Sequence, residues 1–448
     1  MIQETTRRVI GSARILRRLP AQRRIAMLSG DDYEEESNRR LRQTVRYAAR
    51  TVPYYRELFR RERIDPRDIR TAADLTILPI LEKATLRDAP SSLRSSSKHG
   101  RHAISFSTSG STGHPLTVNH DPLSLIDNFA NCEAEKQVVR EILGPQRGVK
   151  QISVIHGGST LHKIWDAYRQ WSFLPVPTEE SLLSVESPVG DVIEAINAAK
   201  PTILSGYGSY LEMLFRHVHG HGIKMHRPSL VSYAADAMTP GGRRMINDDF
   251  GIPVLSRYSA VESFRIGFTC KEQLGYHIRS DLCDVRIVDV NGQPVDAGVS
   301  GEIVISNLVN RGTVLLNYRL GDIGAFSGRA CACGRPMPLL KDLEGRTEDI
   351  LHLSNGELVH PRAVWAQVGK HREVTRYQFV QHEIDRFELR LVTKCKSDYE
   401  RIAPAIRASL TKQLFGARID CVHRGSLAPS AGGKFRPVIA LDRLDVKP

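Results

Sequence analysis

What the sequence lacks narrows its class before any motif is read. None of its 448 residues falls in an apolar stretch that approaches the ~20 a membrane-spanning helix needs. Residues 1–30 are rich in arginine but have no continuous apolar run, so they do not read as a secretory signal and predict a basic amphipathic helix instead. There is no internal repeat, and the only biased tract is the short serine-rich run Ser91–Ser97. No zinc-finger spacing, RNP-type aromatic motif or basic block interleaved with aromatics is present, which argues against nucleic acid as the partner of a chain whose formal charge is +13. That charge, concentrated early as in Arg39-Arg40-Leu41-Arg42, suits a solvated helix face and a field that favours small anionic ligands. The seven cysteines are odd in number and thin for this length, which excludes a disulfide framework and fits a reducing, cytoplasmic setting.

What is present reads as a globular α/β protein, at 41% hydrophobic and 25% charged residues. Leu41, Val45, Ala48, Ala49 and Val52 recur at helical spacing before Pro53, and a second helix restarts after it. From Gln151 to Ser259 strands and helices alternate: QISVIHGG, DVIEAINAAK, TILSG, YLEMLFRHV, LVSYAAD, GGRRMINDDF and IPVLSRYS. Such alternation predicts a mostly parallel sheet covered by helices on both faces. From Asp284 the texture becomes β-rich, with DVRIVDVNGQPV read as two short strands about an Asn-Gly turn. The last hundred residues predict two adjacent strands, RYQFVQHE and RFELRLVTK, followed by a helix from Ser397, a small α+β unit whose boundary falls near Gly345.

Three segments carry chemistry. Ser105–Pro115, SFSTSGSTGHP, alternates small hydroxyl residues with glycine, so its backbone can approach anionic oxygens and its hydroxyls and amides can donate to them. It is not a P-loop, because His114 follows Gly113. Taken alone, a flexible Ser/Gly linker explains it as well. Glu262 follows a strand ending at Tyr258, where a carboxylate suits Mg²⁺ and an aromatic ring suits a base. Asp322 follows Gly321, where an acid suits the two hydroxyls of a ribose, although an ordinary turn aspartate fits too.

The order of these segments resembles a family. Ser107–Gly113, then Tyr258-Ser259-Ala260-Val261-Glu262-Ser263, Tyr318–Asp322, Gly345–Asp349 and Gly432-Gly433-Lys434 are similar to the ordered signature of adenylate-forming enzymes. TVPYYRELF, LPILEKATLR, CKEQLGYHIRSD and CACGR point within it to the phenylacetate–coenzyme A ligase family and its capsule-biosynthesis-type relatives. The likeness runs from about Leu41 to Lys434 and is thinnest over residues 119–200, where an acyl pocket would lie.

The resemblance implies a large N-terminal domain of stacked sheets and helices, residues 1–344, and a small mobile α+β domain, residues 345–448. It implies ATP-dependent activation of a small carboxylic acid as its acyl adenylate and transfer to coenzyme A, with a carrier protein or an amine as the other acceptors. Ser109, Gly110, Ser111, Thr112 and Gly113 would hold the β- and γ-phosphates; Ala235, Asp236 and Ala237 would line the adenine and acyl sites. Tyr258 would stack on adenine, Glu262 would ligate Mg²⁺, and Asp322 with Arg346 would bind the ribose. Glu348 would mark the hinge, and Lys434 would reach the carboxylate and α-phosphate. Relatives of this kind suggest a homodimer.

Three residues depart from the family pattern. His114 stands where lysine is common, Ser259 replaces a glycine, and Val261 replaces a hydroxyl residue before the glutamate. These changes motivate the competing reading, a non-catalytic nucleotide-binding homologue, against which Glu262, Asp322, Arg346 and Lys434 are retained. Finally, Cys270, His277, Cys331 and Cys333 are a candidate Cys₃His structural zinc set, with similar positions in the resembling family. Their spacing is not that of a zinc finger, and four ordinary residues are the alternative. His156 ends a strand and lines the expected cleft or packs structurally; His217, His219 and His221 follow a helix end and are assigned no metal.

Overall fold

The computed structural model of the protein describes residues 2–107, 116–145, 148–156, 159–174, 179–346, 351–355, 358–359, 364, 367–427 and 435–441. The basic N-terminal segment is a helix, α1 (Ile2–Arg24), with Arg23 and Arg24 in its last turn, where cations suit the helix dipole. Its inner face packs Ile15 and Leu19 against Ile126, Ala130 and Tyr168 of two later helices. Helix α2 (Gly30–Thr51) starts where the Ser29 hydroxyl accepts the Asp32 amide, with Asp31 and Asp32 in its first turn. It buries Tyr33, Ser37, Leu41, Val45 and Ala48 along one stripe. Pro53 lacks an N–H to continue the ladder, so the chain turns and a new helix, Pro53–Arg61, begins on it.

Strands β1 (Ile104–Ser107) and β2 (Thr117–His120) pair antiparallel with Ser107 opposite Thr117, flanking the Ser/Gly-rich segment. The alternating middle forms the four expected parallel strands, β3 (Lys150–Ile155), β5 (Ile203–Gly206), β6 (Leu230–Ala234) and β7 (Val254–Tyr258), and one the pattern did not predict, β4 (Glu179–Ser184), in spatial order β7-β6-β5-β3-β4. Strand β5 is wholly buried, as a strand covered on both faces must be. Val154, Leu204, Val231 and Val254 pack against Ile196, Leu211, Leu214 and Phe215 of the crossover helices.

The β-rich region continues the same sheet. Strands β8 (Gly267–Thr269), β9 (Tyr276–Ile278), β10 (Cys283–Val288), β11 (Gly301–Asn307), β12 (Tyr318–Phe326) and β13 (Leu339–Arg346) are antiparallel and give an 11-stranded order β10-β11-β12-β13-β9-β8-β7-β6-β5-β3-β4. The expected stacked sheets are thus joined by β13, which lies between β12 and β9 and pairs with both, Leu340 standing opposite Phe326 on one side and Tyr276 on the other. One expectation needs correction. DVRIVDVNGQPV gives a single strand, β10, and only an isolated bridge, Val288 with Pro294, on the other arm. The Asn291-Gly292 turn is present, with Gly292 at φ +80° and Asp289 Oδ1 accepting the amides of Asn291 and Gln293. Proline at the second position of the returning arm brings no donor to extend the ladder.

The C-terminal part has its own four-stranded sheet, order β18-β17-β16-β19, after a short pair β14 (Leu351–His352) and β15 (Leu358–Val359). The strands are β16 (Val374–Glu383), β17 (Arg386–Thr393), β18 (Arg418–His423) and β19 (Val438–Ile439), covered by the helix Lys396–Gln413. Phe379, Phe387, Leu389, Ile406 and Leu410 form a core that is separate from the cores beneath the large sheet. Among the described residues no helix is long and apolar enough to cross a membrane. All seven cysteines are free thiols.

Candidate active site

The expected site residues that the structure describes lie around the C-terminal ends of the neighbouring strands β6 and β7. Tyr258 closes β7 and its hydroxyl donates to Asp322 Oδ2 at 2.7 Å, tying the end of a parallel strand to the middle of β12. Asp322 lies opposite Arg346 in the β12–β13 register, so the two expected ribose partners face each other across one ladder. After Tyr258 the chain makes a tight turn in which the Ala260 and Ser263 amides each donate to the other's carbonyl at 3.1 Å. Glu262 sits on this turn, 5% exposed, with the Tyr318 hydroxyl donating to its Oε1 at 3.4 Å. Two motif segments, Tyr258–Ser263 and Tyr318–Asp322, are therefore cross-linked twice, through Tyr258–Asp322 and Tyr318–Glu262.

The turn is held from behind by residues that no motif flagged. The His120 ring stacks on Phe264 with centroids 4.0 Å apart, and its Nε2 lies 2.7 Å from the Val261 carbonyl. A carbonyl only accepts, so Nε2 carries the proton. Burial pushes the imidazole pKa down to about 4, outweighing the Val261 carbonyl and Asp121, so His120 is neutral at ordinary pH. Asn307 Nδ2 donates to the Glu262 carbonyl at 2.8 Å. Phe106 of β1 meets both His120, at 5.4 Å, and Phe264, at 5.1 Å, so the strands bracketing the Ser/Gly-rich segment sit beside the Glu262 turn.

The Ala235–Ala237 segment follows β6. Ala235 holds φ +72°, a left-handed conformation that costs a side-chain-bearing residue energy and that recurs at functional turns. Asp236 accepts the Ser209 amide at 3.3 Å and the Ser209 hydroxyl, at the first turn of the helix Gly208–His221. The approach is close: a Cβ on Gly208 would lie 2.7 Å from the Met238 amide nitrogen. His156, just past β3, has Nε2 3.6 Å from a Glu186 carboxylate oxygen, which fits the packing reading of that histidine. Ser109–Gly113, His114, Glu348 and Lys434, together with the side chain of Arg346, lie outside the described residues.

The cysteine and histidine set converges. Cys270 follows β8, His277 is in β9, and Cys331 and Cys333 lie in the turn before β13, which pairs with β9 at Leu339 opposite His277. All four ligand atoms lie within 4.8 Å of one another. Cys270 Sγ is 3.6 Å from Cys331 Sγ, and Cys333 Sγ is 3.3 Å from His277 Nε2. A tetrahedral zinc with Zn–S bonds of about 2.3 Å sets its sulfurs about 3.8 Å apart, so the set has the right size and donor chemistry. Burial pushes the Cys270 thiol up to about 12. Cys333 is shifted down: burial opposes this, but the Arg335 amide and guanidinium outweigh it.

No family model matches the sequence. The phenylacetate-coenzyme A ligase of Thermus thermophilus is 26% identical over 90% of this chain and 95% of its own length. The phenylacetate-coenzyme A ligase of Aromatoleum evansii is 25% identical over 73% of each chain. Among solved structures, 2-hydroxyisobutyryl-CoA ligase in its postadenylation state, with an acyl-AMP bound, superposes with a TM-score of 0.76 at 17% identity, over 94% of this chain and 92% of that one. The same ligase with 2-HIB-AMP and CoA in the thioesterification state gives 0.62, at 18% identity over 93% and 91%. This chain is a homologue of the curated phenylacetate-coenzyme A ligases and has the fold of the adenylate-forming coenzyme A ligases.

Proposed function

We propose that the protein is an AMP-forming carboxylate ligase that activates a carboxylic acid with ATP and passes the acyl group to coenzyme A. The observation that carries this reading is the double cross-link between Tyr258–Glu262 and Tyr318–Asp322, which builds one wall from segments about sixty residues apart. A substrate carboxylate oxygen attacks the α-phosphorus of ATP, the bond to the bridging oxygen breaks, and pyrophosphate leaves. The thiolate sulfur of coenzyme A then attacks the acyl carbonyl, and AMP leaves with the C–O bond electrons.

In this reading Tyr258 lies against adenine, Asp322 accepts from the ribose hydroxyls, and Arg346 donates to them. Ser109–Gly113 donate to the β- and γ-phosphates, and Ala235–Ala237 line the adenine and acyl sites. Lys434 neutralises charge growing on the α-phosphate. Glu262 fits a magnesium site, being a buried carboxylate at the nucleotide wall; the ion supplies charge neutralisation on phosphate oxygens when bound. The boundary between the adenylation domain and the mobile domain falls at the end of β13, near residue 345, with Glu348 at the hinge. Cys270, His277, Cys331 and Cys333 hold a structural zinc that pins β8 and β9 to the turn before β13, and free thiols suit a reducing, cytoplasmic compartment.

The test is AMP formation from ATP across a panel of aryl and aliphatic acids with coenzyme A, comparing the native chain with Lys434→Ala and Glu262→Gln. Acid-dependent AMP that both variants lower by two orders of magnitude or more supports the assignment. AMP that forms only with hydroxylamine or a carrier protein as acceptor keeps adenylation and replaces the acceptor. No AMP with any acid leaves the non-catalytic homologue.

A further inference from the structure

Apart from the nucleotide wall, a cavity of about 220 Å³ opens between α1, α2 and the loop after β11. Arg14 and Arg18 enter it from α1, Arg39 and Arg40 from α2, and Arg311 from the loop. These guanidiniums outnumber their carboxylates. Asp127 serves two of them, accepting both Arg14 Nε and Nη2 at 2.6 Å while Arg18 Nε lies 2.8 Å from Oδ1. Glu36 likewise serves both Arg39 and Arg40. Asp281 stands 3.4 Å from Arg40 but is already clasped by the buried Arg279 at 2.7 and 3.0 Å.

Arg311 is the exception that gives the cavity its character. Its backbone amide donates to Asp121, but among the described residues its guanidinium donates only to the Asn310 carbonyl, at 3.3 Å, and lies over the Tyr47 ring at 5.2 Å. Among the described residues no carboxylate lies within ion-pair distance of that guanidinium. Five guanidiniums therefore face three carboxylates, Asp121, Asp127 and Glu36, an excess of two positive charges in a partly enclosed space. Burial and mutual repulsion show in the proton affinities. Arg18 is shifted down by burial and by Arg14, Arg40 and Arg17, against the pull of Asp127. Arg311 is shifted down by burial and by Arg18 and Arg40, against Asp121 and Tyr47.

We propose that this cavity is a binding site for a phosphoryl dianion, held between Arg18, Arg40 and Arg311. A dianion matches the excess charge, and guanidinium forks match the geometry of phosphate oxygens. The site is not the nucleotide wall, but it adjoins that wall's back. Asp121 follows His120, which holds the Val261 carbonyl, and Asn307 joins the Glu262 carbonyl to the amides of Val309 and Asn310 in the cavity loop. This inference does not rest on the ligase reading.

The test is calorimetric titration of the full chain in chloride buffer with inorganic phosphate, pyrophosphate and adenosine 3′,5′-bisphosphate, with AMP as the control. Arg311→Gln and Arg18→Gln are expected to weaken phosphate binding at least tenfold. A bisphosphate that binds tenfold more tightly than phosphate, and loses that margin in Arg311→Gln, assigns the site to the 3′-phosphate of a nucleotide; equal affinities assign it to a free anion. Because Arg311→Gln breaks no ion pair among the described residues and relieves the repulsion with Arg18 and Arg40, it should melt at or above the native chain in phosphate-free buffer. Phosphate affinity unchanged in both variants, or a lowered melting temperature of Arg311→Gln without phosphate, overturns the proposal.

Discussion

Asp284 offers a sharp test of the energetics, because two effects oppose each other there. It lies on β10, every residue of which is buried, and its Oδ2 has no hydrogen-bond partner among the described residues. Burial raises its pKa from 3.8 to about 6, outweighing the attraction of Arg286 and the Val285 amide. A carboxyl whose folded pKa exceeds its unfolded one binds its proton more tightly when folded. Its contribution to stability is therefore complete below about pH 4 and is lost as pH rises through about 6. A rise of about two units at 1.36 kcal/mol each sets the loss at roughly 3 kcal/mol. Asp284→Asn keeps the shape and removes the titration. At pH 7.5 it should melt a few degrees above the native chain, with the gap closing toward pH 4.5. Differential scanning calorimetry at six pH values reads both. If Asp284→Asn melts lower than the native chain at pH 7.5, the pairing with Arg286 outweighs burial and the reasoning fails.

Three further perturbations address the site and its support. Tyr258→Phe removes the 2.7 Å hydrogen bond to a carboxylate, of the kind that contributes about 1.5–3 kcal/mol, and should raise the KM for ATP about tenfold or more with a smaller change in kcat. His120→Leu leaves the Val261 carbonyl without its donor and should lower kcat/KM for ATP by about tenfold, with His120→Gln recovering most of it; two variants with equal losses would show a packing role instead. Elemental analysis of protein purified without chelator should find one zinc per chain, and Cys333→Ser should lose it and lower the melting temperature; full stability in that variant removes zinc from the account.

The parallel half of the fold was legible in β3, β5 and β6, short apolar runs followed by helical stripes, whereas β4, Glu179–Ser184, has no such run and was not read. Strand β5, buried along its whole length, and the helix Gly208–His221 fall where the pattern placed them. The antiparallel half was legible only in its strands. That β13 pairs with β9 as well as with β12, fusing both halves into one sheet, depends on contacts across more than sixty residues that no local pattern encodes. The same pairing brings Cys331 and Cys333 to Cys270 and His277, a convergence that spacing left open. Tyr258, Glu262 and Asp322 could be named because their types suit a nucleotide. His120 and Asn307 could not, since their role is to hold backbone carbonyls, a task that leaves no signature in residue type. The arginine cavity was equally hidden: the sequence showed clustered positive charge, and only the fold shows Arg311 joining the α1 and α2 arginines from 270 residues away or more.

The account turns on adenylation, which can be read apart from any acceptor. Labelled pyrophosphate should exchange into ATP when one member of an acid panel is present, without coenzyme A, and exchange should collapse in Lys434→Ala. Exchange that ignores the acid, or that survives in Lys434→Ala, would contradict it.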